Sequence, residues 1–294
     1  MAPVEALDRF YLSITLLVTV GYQMLGFAIA WTLQFDKITD FTGGSNFFLL
    51  ALLTLLIGNT FHARNIVASV LVMIWIVSLP LTILNSPAVS NTAQGGSNPP
   101  FGTSRDIAGI VLWAIGFFIE SVSDAQKYYY KSNNAVPKGH PFRKGLWAWS
   151  RHPPYFGEMM CWWGIWILCL SPTTNGDLSS SSRAAQYGSI VSPIFTVLLL
   201  MFASGIPTAE KPTAKKFYLM SVGSAPQDEQ AWPRYEAFLK ETSILIPLPP
   251  LLYRPLPAWV KRSILLDFPV YRFEPTTDGV QAVEQEEGNL RHNR

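Results

Sequence analysis

From Phe10 to Leu33 the chain carries no charged side chain. At about 1.5 Å per residue, such a run crosses a hydrocarbon core of roughly 30 Å. The pattern recurs. Phe41 to Phe61 is uncharged around the strongly apolar Phe47–Ile57 and makes a second span. Ile66–Leu84, interrupted by Pro80, makes a third. Ile107 to about Ala125 makes a fourth, with Glu120 and Asp124 at its end. The Trp-rich Pro153–Leu170 and then Tyr187–Ile206 make the fifth and sixth. Only 14% of residues are charged, against about 25% in soluble proteins, and they gather in the intervening loops. The expected fold class is all-α: a polytopic helical membrane protein with about six transmembrane helices.

Lys and Arg set the orientation. The loop after the fourth span holds Lys127, Lys131, Lys138, Arg143, Lys144 and Arg151, and more basic residues follow the sixth span. The opposite loops carry only Lys37, Arg105 and Arg183. This asymmetry places both termini in the cytosol. The apolar run after Met1–Arg9 is too long for a signal-peptide core, so it reads as a retained span. Asn85–Arg105 reads as a loop, and Gln281–Arg294 as a disordered tail. Cys161 and Cys169 would lie about 12 Å apart along one helix, too far for a disulfide. The sequence offers no zinc-type Cys/His cluster and no nucleic-acid motif. Membrane lipids are the expected surroundings, with no metal and no nucleic acid as partner.

Three groups of residues carry chemistry. Glu120 and Asp124 are four residues apart and share a helix face that Lys127 can join. They line either a polar cavity, which is where ionisable groups in a span usually point, or a helix end emerging into water. Pro153 and Pro154 suit a first helical turn. A helix N-terminus there offers free N–H groups to an anion, with Arg151 and His152 beside it. Arg151 can fork onto a phosphate, and Tyr155 and Glu158 continue along one face. Anchoring at the membrane interface explains the same residues equally well. Trp147, next to the basic loop, either stacks on a nucleotide ring or simply packs. Asp228–Thr242 reads as a short amphipathic helix, and the Pro-rich Ile244–Tyr253 as a segment lying on the membrane surface.

Gly145-Leu146-Trp147, then Ser150-Arg151-His152-Pro153, Tyr155-Phe156-Gly157-Glu158 and Trp162-Trp163-Gly164 together resemble the C-terminal domain of the steroid 5-alpha reductase superfamily, in its uncharacterised microbial and fungal branch. Glu120, Asp124, Gln126, Lys127, Glu210-Lys211 and the Tyr235-to-Pro247 ending fit the same pattern. The resemblance covers roughly Arg105–Tyr253 and, more weakly, Asp36–Phe48. It implies a membrane enzyme of the endoplasmic reticulum that uses NADPH to reduce a carbon–carbon double bond in a sterol-like or other lipid. By carry-over, Arg151, His152, Tyr155 and Glu158 line the cofactor site, joined by Lys127, Trp147, Glu210 and Tyr235. Tyr155 or Glu158 supplies or relays the proton, and Glu120 and Asp124 line the substrate cavity. The domains expected are 1–104 (membrane spans), 105–255 (reductase-like) and 256–294 (cytosolic tail).

The chain departs from relatives in two places. Pro154 stands where they often carry Asn. After Trp75 it runs directly into Ile76-Val77-Ser78-Leu79-Pro80, where relatives continue with an Arg-Leu pair, a charged loop and another span. Two other classes share the motif or the fold: an S-adenosylmethionine-dependent methyltransferase similar to isoprenylcysteine carboxyl methyltransferase, and a non-catalytic lipid-binding relative.

Overall fold

The computed structural model describes residues 12–33, 42, 45–46, 48–53, 56, 63–76, 100–224 and 226–292. In chain order its helices are α1 (Leu12–Leu33), α2 (Ala63–Ile76), α3 (Ser104–Ser132), α4 (Pro153–Cys169), α5 (Ser171–Asn175) and α6 (Ser180–Gly188), then α7 (Val191–Phe202), α8 (Ile206–Val222), α9 (Ala231–Glu241), α10 (Pro250–Tyr253), α11 (Ala258–Ser263) and α12 (Val280–His292). Among the described residues there is no strand, only one isolated bridge between Ser150 and Ser243. The fold is all-helical, as the long uncharged apolar runs predict.

Among the described residues, two helical stretches, Ser104–Ser132 and Ser180–Val222, are long and apolar enough to cross a membrane; Ser13–Ile29 is apolar but shorter. Several expectations lie outside the described residues: Met1–Arg9, the Pro80 interruption, the junction from Val77 to Pro80, and most of the Asn85–Arg105 loop. Much of the second span lies outside them too.

The chain divides into two units, Met1–Phe117 with Met159–Thr196, and Phe118–Glu158 with Val197–Arg294. In the first, Trp113, Cys161, Trp162, Ile165 and Leu168 form a core with Ala68. Gly109 and Gly164 let the backbones of α3 and α4 touch. A Cβ on Gly109 would stand 2.6 Å from the Gly164 carbonyl oxygen, and one on Gly164 2.7 Å from that of Gly109. Such small-residue contacts are a common way for apolar helices to pack without a hydrophobic driving force. α3 starts with a reciprocal cap: Asp106 N–H donates to Thr103 Oγ1, and Thr103 N–H to Asp106 Oδ2. Both cysteines are buried, and Cys161 Sγ donates to the Trp113 carbonyl.

The second unit has its own core, in which Ala214 of α8, Tyr235 and Phe238 of α9, Phe273 and Ala282 meet. This corrects two expectations. Up to His292 the expected tail is not unstructured: Val280–His292 is helical. Ala282 is buried, Lys215 donates to Gln285, and Ser224 N–H donates to Glu286. One small apolar contact, backed by polar side chains bonding to α8 and the turn after it, holds a helix whose composition alone looks disordered. Ile244–Tyr253 does not lie on a surface as a whole either; Ile244, Leu245 and Tyr253 are buried. The amphipathic helix expected over Asp228–Thr242 is present as α9.

Candidate functional site

The segment before α4 is fixed by main-chain bonds. Arg151 N–H donates to the Ser243 carbonyl at 2.8 Å, and His152 N–H to that of Ile244 at 3.1 Å. Ser150 Oγ donates to Leu245 O at 2.7 Å. Ser150 and Ser243 are fully buried. Pro153 then opens α4, because proline needs no N–H partner in a first turn. The pairing with Ser243–Leu245 sets where the Arg151 and His152 side chains go.

They go inward. Arg151 and His152 are both buried. Arg151 Nη1 meets Glu210 Oε2 at 3.0 Å, and Nη2 meets Asp267 Oδ1 at 3.1 Å. His152 Nε2 lies 2.7 Å from Glu210 Oε1 and donates to it, since an ionised carboxylate only accepts. Tyr253 Oη donates to Asp267 Oδ2 at 2.9 Å. Arg151 Nε is buried without a hydrogen-bond partner. Thus one cation bridges two acids, with a histidine and a tyrosine attached.

Electrostatics follow from the burial. Burial alone disfavours the Arg151 charge, but Glu210 and Asp267 outweigh it and hold the pKa above its ordinary value. Tyr235 is pushed up by burial and by Glu210; Tyr253 is pushed up by burial and by Asp267. Burial and Asp267 push Tyr271 up to about 12. Burial lowers Lys261, with Asp267 opposing and Arg272 adding to the shift.

The network opens onto a cavity of about 440 Å³, within the size range of small-molecule sites. Arg151, Glu210, Asp267 and Tyr253 line it, Trp232 and Phe273 give aromatic walls, and Lys240, Lys261 and Arg272 contribute cations.

A second group adjoins through a ring stack. Tyr155 lies on His152, with centroids 5.3 Å apart and planes 11° apart. Asp124 and Glu158 lie within electrostatic reach of Tyr155, and Lys127 within reach of Asp124. Glu158 and Glu120 are buried. The structure therefore brings together Arg151, His152, Glu210, Tyr155, Glu158, Asp124 and Lys127 from the expected set, with Tyr235 close enough to Glu210 and Arg151 to feel their charge.

Trp147 packs against α3. It is buried, donates to the Ser123 carbonyl at 2.8 Å, and carries Lys127 over its ring. Arg151 also differs from the phosphate fork expected: both terminal nitrogens already face carboxylates. Sequence reasoning missed Asp267, Tyr253 and Tyr271. The available signal was Asp267 itself, a lone acid inside the apolar run Ile264–Val270.

Fold and site together define an all-helical protein with apolar helices and a buried, cavity-facing charge network. Residues 26–89 and 76–221 match the family described as protein of unknown function (DUF1295), and the chain belongs to that family. The two matched stretches overlap at residues 76–89, just after Trp75. No curated protein and no solved structure matches the chain.

Proposed function

We propose that this chain is a membrane-embedded reductase that uses NADPH to reduce a carbon–carbon double bond in a sterol-like or other lipid, as a branch of the steroid 5-alpha reductase superfamily. The observation that carries this reading is the continuous path from the Arg151–Glu210–Asp267 network, across the His152–Tyr155 stack, to Glu158 and Asp124. It joins a ligand-sized cavity to hydroxyl and carboxyl groups able to move a proton.

The donor set fits the cofactor. Lys240, Lys261 and Arg272 offer cations for phosphates, Trp232 and Phe273 offer aromatic faces, and Arg151 Nε is a buried donor without a partner. NADPH, when bound, supplies the hydride. The chain's own residues do the rest. Arg151 holds Glu210 and Asp267 in place. Tyr155 holds a proton at its hydroxyl for the substrate carbon, with Glu158 as the relay.

The membrane setting rests on exposed apolar stripes. Ile107, Val111, Ile115 and Phe118 follow one another along one face of α3. Val191, Ile194, Phe195, Leu198 and Phe202 do so along α7. Exposed apolar area of this kind suits lipid. In this reading the protein is multi-pass, in the endoplasmic reticulum, with both termini cytosolic.

One observation favours a second reading, an S-adenosylmethionine-dependent methyltransferase. The cavity is lined by Glu210, Glu236, Asp267 and Glu274 as well as by four cations, and carboxylates with aromatic rings suit a sulfonium. Thermal-shift titration of the detergent-purified protein with NADPH, NADH and S-adenosylmethionine separates the two. The reductase reading expects stabilisation by NADPH; stabilisation by S-adenosylmethionine alone overturns it.

A further inference from the structure

α8 has a second working face. By the helical period, Pro212, Lys215, Lys216 and Leu219 stand on the side of α8 opposite Glu210 and Ala214. There they line a groove of about 790 Å³, closed by the 136–140 loop and by Glu286 of α12. None of the residues placed in the cavity of Arg151 belongs to it.

The loop that carries Lys138 and His140 into this groove is held firmly. Gly139 sits at φ +76, and a Cβ there would lie 2.3 Å from Asp228 Oδ2. Its carbonyl accepts from Arg234 Nη1 at 2.8 Å, while Arg234 forks onto Asp228 through two bonds of 2.9 Å. Only glycine fits that conformation and that approach.

The charge in the groove is one-sided. Lys138, Lys215, Lys216 and His140 face a single acid, Glu286. One oxygen of that acid already accepts from Ser224 N–H at 2.9 Å. Lys215 donates to the neutral Gln285 at 2.6 Å. Among the described residues, Lys138 and Lys216 form no ion pair. Holding three ammonium groups around one concavity costs repulsion, which a bound anion would relieve. Phe217, Leu219 and Met220 supply an apolar side to the same groove.

We infer that this groove is a binding site for a phosphate-bearing molecule, separate from the cavity on the other face of α8. Two sources carry that chemistry: a soluble polyphosphate, or the phosphorylated headgroup of an anionic lipid, for which basic pockets beside membrane helices are suited.

The experiment uses the full chain in phosphatidylcholine nanodiscs. One arm titrates inorganic tripolyphosphate; the other incorporates phosphatidylinositol bisphosphate into the disc. Melting temperature and Kd are read for the parent, for Lys138→Gln with Lys216→Gln, and for Lys131→Gln with Lys144→Gln, an equal loss of charge outside the groove. Each lysine near an anionic surface contributes about 1 kcal/mol, so the groove pair should weaken binding about thirtyfold. Binding of tripolyphosphate that the groove pair weakens to that extent supports a soluble ligand. Binding of the lipid alone, weakened by the same pair, supports a headgroup. The inference is overturned if the parent binds neither probe, or if the control pair loses as much as the groove pair. NADPH affinity should be unchanged by the groove pair; an equal fall there would overturn the separateness of the two sites.

Discussion

Each unit buries an arginine against carboxylate, and the two arrangements differ in kind. In the first, Arg64 forks onto Asp106, at 2.6 and 2.8 Å. Asp106 Oδ2 also accepts from the N–H groups of Gly102 and Thr103, so the carboxylate takes four hydrogen bonds at the start of α3. In the second, Arg151 divides itself between Glu210 and Asp267, leaves Nε without a partner, and faces a cavity. The first pair is closed and anchors a helix. The second is open on one side, which is how a ligand site differs from a structural ion pair of the same composition.

The largest effect expected from breaking this contrast is at the closed pair. Asp106→Ala leaves a buried guanidinium and two backbone donors without their acceptor. Loss of one partner of such a pair costs about 3–5 kcal/mol, read as unfolding free energy in detergent. A loss under about 1 kcal/mol would mean that the pair is not closed at all.

Arg151→Lys tests the open network. Lysine keeps the charge but cannot reach two carboxylates through a planar fork. One charge-assisted bond lost corresponds to about 1.5–3 kcal/mol of stability. Unchanged stability would show that Arg151 does not bridge Glu210 and Asp267 in solution.

Alkaline pH acts on the second unit by the same logic. Tyr235, Tyr253 and Tyr271 are all raised above 10.0. The unfolded chain therefore loses these protons near pH 10 while the folded one keeps them. Stability is complete below pH 10 and falls as pH rises from about 10 towards the folded values, the lowest of them near 12. Tyr253→Phe should lessen the slope of that fall. A fall that begins well below pH 10 would assign it to other groups.

The contrast was half legible in the sequence. Pro153 marked the start of α4, and Arg151, His152, Tyr155 and Glu158 lie within two helical turns, so local spacing was enough to group them. Glu210 came only with the family resemblance. Asp267 stands 116 residues from Arg151, and no periodic signal spans that distance. The same limit hid the pairing of Ser150 with Ser243, and so the inward turn of Arg151 that removes it from a simple phosphate fork. Trp147 stayed open for another reason: an aromatic beside a basic loop has the same sequence appearance whether it stacks on a ligand or donates to a carbonyl. The polar helix α12 was read as tail because its contacts are hydrogen bonds to α8 and the turn beyond it, which composition does not reveal.

In the proposed reading, the open side of the Arg151 network holds the cofactor, and cations at the cavity supply the phosphate contacts. Calorimetric titration of NADPH into the parent and into Lys261→Gln with Arg272→Gln tests this most directly. Both side chains line the cavity, and neither belongs to the buried pairs that hold the fold. At about 1 kcal/mol for each cation, the account predicts NADPH binding roughly thirtyfold weaker in the double variant, with its melting temperature without ligand unchanged. Equal affinity in the two proteins would contradict it.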